Sequence, residues 1–161
     1  MGRHERARAT VVPPAPVTVR RAGAADAAAI AGLLTHLGYR TTPEAAAARL
    51  DRLSERSEAL VALTDGEVVG LATVHRTNVL EWDEPACRLM AMMVREDHRG
   101  LGVGAALVAA SERLAAGWGC PRLELTSGNH RPAAHAFYRH MGYEETSRRF
   151  VKPLRPGVGL R

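Results

Sequence analysis

Three glycines alternate with apolar residues in Arg99-Gly100-Leu101-Gly102-Val103-Gly104. The stretch follows an apolar run, Leu89 to Val94, and opens a helix-like run, Ala105 to Ala116. Glycines leave a backbone with few side chains in the way, and a helix start adds unpaired N–H groups and the positive end of its dipole. That combination suits a phosphate group, and Arg99 adds a fixed positive charge beside it. A chain built around such a loop must bring a strand to it and lead a helix away from it.

The remaining periodicity fits that requirement. Val17 to Arg20 alternates as a first strand. Asp26 to Leu37 has helical spacing at Ile30, Leu33, Leu34 and Leu37, with Gly38 as a stop. Thr42-Pro43-Glu44 reads as a helix start, a capping hydroxyl followed by proline at the first helical position, with the helix running to about Leu53. Ala59 to Leu63 and Glu67 to Val74 flank Thr64-Asp65-Gly66, a hairpin signal. Asn78 to Pro85 is a polar loop carrying Trp82. Leu89 to Val94 is apolar enough for a strand buried on both faces. Gly117 and Gly119 end the helix after the glycine loop. Arg122 to Thr126 reads as a strand, Arg131 to Met141 as a helix closed by Gly142, and Tyr143 to Glu145 and Phe150 to Leu154 as short final strands. The order β-α-α-β-β-β-α-β-α-β-β gives an α/β chain with one mixed sheet.

The 161 residues suit one domain with a real core. Residues 17–155 form that domain, between a Pro-rich N-terminal tail, 1–16, expected to be disordered, and a C-terminal tail, 156–161. No apolar stretch approaches the roughly 18 residues of a membrane span, and no apolar segment with a cleavage site follows the basic Arg3, Arg6 and Arg8. Cys87 and Cys120 lack CxxC spacing and read as free thiols of a reducing cytoplasm. The net charge is +5, and Lys152 is the single lysine among 22 basic residues. These arginines are spread among acids, and only 4% of residues are aromatic, so the composition speaks against nucleic acid and for a small polyanion.

Two ligands compete for the loop. Gly100, Gly102 and Ala105 satisfy the dinucleotide pattern G-x-G-x-x-G/A, with Glu124 about 20 residues on, where a ribose-binding acid belongs. Against it, Arg95 to Arg99 separate the strand from the glycines, and Glu124 sits inside Leu123-Glu124-Leu125 rather than at a strand end. The chain after Glu124 is too short for the remaining units of a doubly wound sheet. The other ligand is coenzyme A, held by its pyrophosphate.

Here the sequence resembles a known family. Val94-x-x-x-x-Arg99-Gly100-x-Gly102-x-Gly104 is similar to the acetyl-CoA signature R/Q-x-x-G-x-G/A of the GCN5-related N-acetyltransferases. Arg131-Pro132-Ala133-Ala134-His135-Ala136-Phe137-Tyr138-Arg139-His140-Met141-Gly142-Tyr143 resembles that family's second motif, N-x-x-A-x-x-F-Y-x-x-x-G-F/Y. Glu124 to Ser127, the second motif and Phe150-x-Lys152 look most like small bacterial members such as the aminoalkylphosphonate N-acetyltransferases. The resemblance implies a mostly antiparallel mixed sheet flanked by helices and splayed at its central strands. It implies acetyl-CoA as cofactor, a homodimer, and direct transfer to an amine in a ternary complex. The N–H groups of Gly100, Leu101, Gly102, Val103, Gly104 and Ala105 would bind the pyrophosphate with Arg99. Backbone groups of Met92 and Val94 would pair with the pantetheine arm, and the N–H of Met93 or Val94 would meet the oxyanion.

Acetyl transfer also needs an acid and a base. Tyr138 stands at the family's tyrosine position; a phenol with a pKa near ~10 stays protonated at neutral pH and can protonate a thiolate in a dry site. Its plainer role is packing beside Phe137. An alkyl ammonium is far below ~1% neutral at pH 7, a penalty of roughly 4–5 kcal/mol, so a base or desolvation must help. Many relatives carry a Glu two or three residues before the strand's final valine, where this chain has Ala91 and Met92. Glu124 is then the first candidate base, with His75 and Glu81 behind it; Glu124 also reads as an ion-pair partner and His75 as a strand end. Asn129 and Arg131 read as cofactor contacts or helix-start residues. Trp82 and His75 read as lining for an acceptor, here a small amine, and Trp82 equally as a cover for the sheet. His98, His130, His135 and His140 suggest a metal at first sight, but the last three are five apart, off any single helix face, and no Cys or acid completes a tetrahedral set. A non-catalytic acetyl-CoA-binding module is the alternative that the missing strand carboxylate supports.

Overall fold

The computed structural model describes residues 15–157, so nearly all of the expected N-terminal tail and residues 158–161 lie outside the described residues. The chain divides into two compact units, Leu123 closing the first and Glu124 opening the second. The sheet order is β1-β2-β3-β4-β5, and the structure is α/β as expected. The first unit holds β1 (Thr18–Arg21), α1 (Ala27–His36), α2 (Pro43–Asp51), β2 (Ser57–Thr64), β3 (Glu67–Thr77), β4 (Ala86–Val94) and α3 (Val103–Gly117). β5 (Leu123–Leu125) crosses into the second unit, which also holds α4 (Pro132–His140).

β1 to β4 pair antiparallel in sequence order. Between β2 and β3, Asp65 (φ 51°) and Gly66 (φ 80°) both lie in the left-handed region, the two-residue turn whose twist matches a hairpin. On one face, Ala59, Val61 and Leu71 join Ala27, Ile30, Ala31, Leu33 and Ala46 in a core under α1 and α2. The other face carries α3. At Gly70 a Cβ would stand 3.0 Å from Leu107 and Val103 side-chain atoms, so only glycine lets α3 lie this close to β3. α2 begins where expected, with the Thr42 hydroxyl accepting the Ala45 N–H at 3.2 Å, a cap worth about 1 kcal/mol.

α1 starts one residue later than its spacing suggested, because Asp26 has other work. It ends a short 3-10 turn, Ala24–Asp26, and its carboxylate accepts both Arg20 guanidinium nitrogens at 2.7 and 2.8 Å and the Gly23 N–H at 2.8 Å. The Arg20 hydrogen bond lowers the Asp26 pKa below the ordinary carboxylate value. A depressed folded-state pKa gives stability that is present above the unfolded pKa and lost as pH falls through the folded one. Asp26→Ala is therefore expected to melt lower than the native protein at pH 6, with the gap closing as pH approaches 3. Thermal unfolding at several pH values measures this, and a gap constant with pH counts against the pairing.

Two expectations are corrected. Leu89 to Val94 is not buried on both faces: Leu89 is buried, Met90 is 59% exposed, and 91–94 are half-buried. A bulge falls at the exposed residue. Thr73 pairs with Ala91 and Val74 with Leu89, so Met90 is the extra residue, and the faces reverse across it. Neither Tyr143–Glu145 nor Phe150–Leu154 forms a strand. The Tyr143 N–H donates to the Tyr138 carbonyl at 2.9 Å and Glu145 pairs with Arg139 at 3.1 Å, which folds this stretch back on α4 instead of into a ladder. Phe150 and Leu154 stand exposed, and Pro153 removes a ladder donor.

Candidate active site

β4 leads into the glycine loop through a short 3-10 turn, Glu96–His98. Sequence reading gave these residues no role, yet they hold the turn in place. Asp97 accepts from His98 Nδ1 and from Arg95 Nε, each at 2.8 Å, and Arg95 reaches Glu67 at 3.2 Å on β3. The His98 and Arg95 hydrogen bonds lower the Asp97 pKa to about 2, so it is ionised at any working pH. Cross-strand partners such as Glu67, 28 positions away, leave no mark in sequence spacing.

Beyond the turn, Gly100 (φ 74°) and Gly102 (φ 84°) adopt left-handed backbone, and a Cβ on either would meet no atom within 4 Å. The loop is open on the side those hydrogens face. Gly102 caps α3 with no side-chain hydrogen bond, and the first helical bond runs from the Ala106 N–H to the Gly102 carbonyl. The N–H groups of Val103, Gly104 and Ala105 thus have no helical acceptor. Val103 is buried and anchors the loop, whereas Leu101 and the Arg99 side chain are exposed. The site passes a simple fit test for a phosphate group: donors, a positive dipole end, a cation and no side chain in the approach.

Met92, Met93 and Val94 lie opposite Ala72, Leu71 and Gly70, so Met92 and Val94 share α3's face and Met93 that of α1 and α2. His75 pairs with Arg88, beyond the bulge from these three. Its Nδ1 and the Ser57 hydroxyl are 2.8 Å apart, a pairing no sequence signal announced. Trp82 is 47% exposed, but the Arg122 guanidinium lies 3.6 Å from its ring centre. One face of that indole is therefore taken by a cation, at roughly 0.5–2 kcal/mol. Glu81 is exposed in the same loop.

In the second unit, Glu124 is half-buried on β5 and is not without a partner. Arg131 caps α4 with its N–H on the Gly128 carbonyl at 3.0 Å, and Asn129 is exposed in that turn. His135 Nε2 binds the same carbonyl at 3.0 Å. Tyr138 is half-buried, its ring edge-on to Phe137 at 5.2 Å and to Tyr143 at 5.8 Å. Burial raises its pKa above the ordinary phenol value, and the Arg131 charge opposes this in part. Among the described residues, no group of three or more His, Cys, Asp or Glu could hold a metal ion. No helix among them is long and apolar enough to cross a membrane.

A strand that runs into an open, glycine-led helix start gives an α/β protein a loop whose geometry suits a phosphate group. The acetyltransferase (GNAT) family model matches residues 28–143, and the chain belongs to that family. The chain is 36% identical over 149 residues to the aminoglycoside N(6')-acetyltransferase type 1 of Stenotrophomonas maltophilia, covering 88% of this chain and 96% of that protein. It is 33% identical over 94 residues to the aminoalkylphosphonate N-acetyltransferase of Salmonella typhimurium, covering 58% of this chain and 61% of that protein. The solved structure of the aminoglycoside N-acetyltransferase AAC(6')-Iy in complex with CoA superposes with a TM-score of 0.76 at 21% identity, over 90% of this chain and 99% of that one. The protein is an acyltransferase of the N-acetyltransferase class, whose family uses acetyl-CoA.

Proposed function

We propose that this chain moves an acetyl group from acetyl-CoA to the primary amine of a small polar molecule, by direct transfer in a ternary complex. The observation that carries the reading is the glycine loop on the uncapped start of α3, whose free N–H groups and open backbone suit a pyrophosphate. Relatives that act on aminoglycosides and on an aminoalkylphosphonate support a small, hydrophilic amine as acceptor. The thioester supplies the activated acetyl group. Residues 100–105 and Arg99 hold its diphosphate, Met92 and Val94 align its arm, and the N–H of Met93 or Val94 faces the developing oxyanion.

The amine attacks the thioester carbon, a C–N bond forms, the C–S bond breaks, and the thiolate takes a proton from Tyr138. Burial raises the Tyr138 pKa, which keeps that proton in place until a thiolate appears. The ammonium proton goes to a base on the acceptor side. Glu124 is the first candidate, and His75, oriented by Ser57, is the second. Asn129 and Arg131 border the cofactor on α4, and Trp82 borders the acceptor.

Release of CoA across a panel of amines tests the reading: an aminoglycoside, an aminoalkylphosphonate, a polyamine and an amino acid. Turnover with at least one small amine is expected. Tight acetyl-CoA binding without turnover on any amine overturns it and favours a binding module.

A further inference from the structure

Residues 99–102 are all exposed, and a Cβ on Gly100 or Gly102 would touch nothing within 4 Å. Glycine also loses more conformational freedom on ordering than any other residue. A loop of this kind, whose N–H groups must converge on a diphosphate, needs anchors at its ends. Behind it the anchor is Val103, buried at the start of α3.

In front of it stands Arg95. Its backbone N–H donates to the Val69 carbonyl at 2.8 Å, which attaches the chain to β3 one residue past the end of β4. Its carbonyl accepts the His98 N–H at 3.0 Å and closes the 3-10 turn. Its guanidinium reaches three side chains. Nε donates to Asp97 at 2.8 Å, and one terminal nitrogen donates to Glu67 at 3.2 Å. The other terminal nitrogen lies 3.2 and 3.4 Å from the ring nitrogens of His98. His98 Nδ1 donates to Asp97, so Nε2 is the ring atom that accepts from Arg95. Glu67 is the first residue of β3, directly after the Asp65-Gly66 turn. One half-buried side chain thus ties the hairpin end to the turn that leads into Arg99 and Gly100.

We propose, on the acetyl-CoA reading of the loop, that Arg95 is a positioning residue for the cofactor: a brace from β3 that holds the glycine loop ready for the diphosphate. Arg95 acts through the loop, and Arg99 is the cation beside the phosphates. A loop ordered before its ligand arrives loses less entropy on binding. The planar guanidinium can serve several partners at fixed angles, which a lysine ammonium does not reproduce. A charge effect without a brace has the opposite sign at Glu67. Removing that carboxylate would strengthen binding of an anion if charge alone mattered. It weakens binding if the loop depends on the tie between Arg95 and β3.

Calorimetric titration of acetyl-CoA into the full chain, with steady-state kinetics, tests the brace. Arg95→Met should weaken acetyl-CoA binding roughly tenfold and raise its KM alike, with kcat at saturating cofactor within about twofold of native. Glu67→Met changes a side chain that is 69% exposed, where folding is not at stake, and should weaken binding several-fold. The two losses should not add in the double variant, since each breaks the same tie. Arg95→Lys keeps the charge and should bind closer to Arg95→Met than to the native protein. Unchanged affinity in Arg95→Met, tighter binding in Glu67→Met, or full rescue by Arg95→Lys overturns the proposal and leaves the acetyl-CoA reading intact. A native protein that does not bind acetyl-CoA removes both.

Discussion

Tyr138→Phe is expected to lower kcat by about 10²-fold or more while moving the acetyl-CoA KM only a few-fold. The substitution keeps the ring that packs edge-on to Phe137 and Tyr143 and removes only the hydroxyl. Stability should therefore change little, and a loss of rate reports chemistry rather than folding. Without the phenol, the thiolate leaves unprotonated or draws its proton from water, and the barrier rises by about 3 kcal/mol for a 10²-fold loss. In the native protein kcat should also fall at strongly alkaline pH as the phenol ionises, above the ordinary pKa because burial raises it. That alkaline limb should vanish in Tyr138→Phe. Steady-state kinetics against pH measures both effects, and full turnover in the variant would make Tyr138 a packing residue.

Gly102→Ala is expected to weaken acetyl-CoA binding by roughly tenfold or more, at nearly constant kcat when the cofactor saturates. Gly102 holds φ 84°, a conformation that costs an alanine roughly 1–2 kcal/mol. Nothing within 4 Å would meet the added Cβ, so the methyl group projects into the open approach to the loop. Relief of the strain by a shift in backbone would also swing the N–H groups at the start of α3 away from their common direction. Calorimetric titration of acetyl-CoA into the two proteins measures the difference. Equal affinities would remove the loop from the cofactor site.

The features legible in the sequence were local ones. The glycine loop, the Thr42 cap and the Asp65-Gly66 turn each depend on backbone within a few residues, and all three have the expected form. Strands β2, β3 and β4 were placed correctly but drawn too short, because their polar ends, such as Ser57 and His75, carry no apolar alternation. The final strands failed for a related reason. Phe150 to Leu154 has strand-like residues, but a strand exists only against a partner, and Tyr143 and Glu145 turn their segment back on α4.

Sequence by itself determined the class of this protein: an N-acetyltransferase built on a phosphate-suited loop, with a tyrosine on its last helix and no strand carboxylate at Ala91 or Met92. Tertiary structure alone decided which side chains meet. The bulge at Met90 reverses the faces of β4, so Cys87 and Leu89 share a side with Met92 and Val94. Ser57 reaches His75 and Arg95 reaches Glu67, both through the register of neighbouring strands. Register is a property of paired strands, and one extra residue moves every later side chain to the other face. Such pairings arise only once the whole sheet and the helices on it have formed.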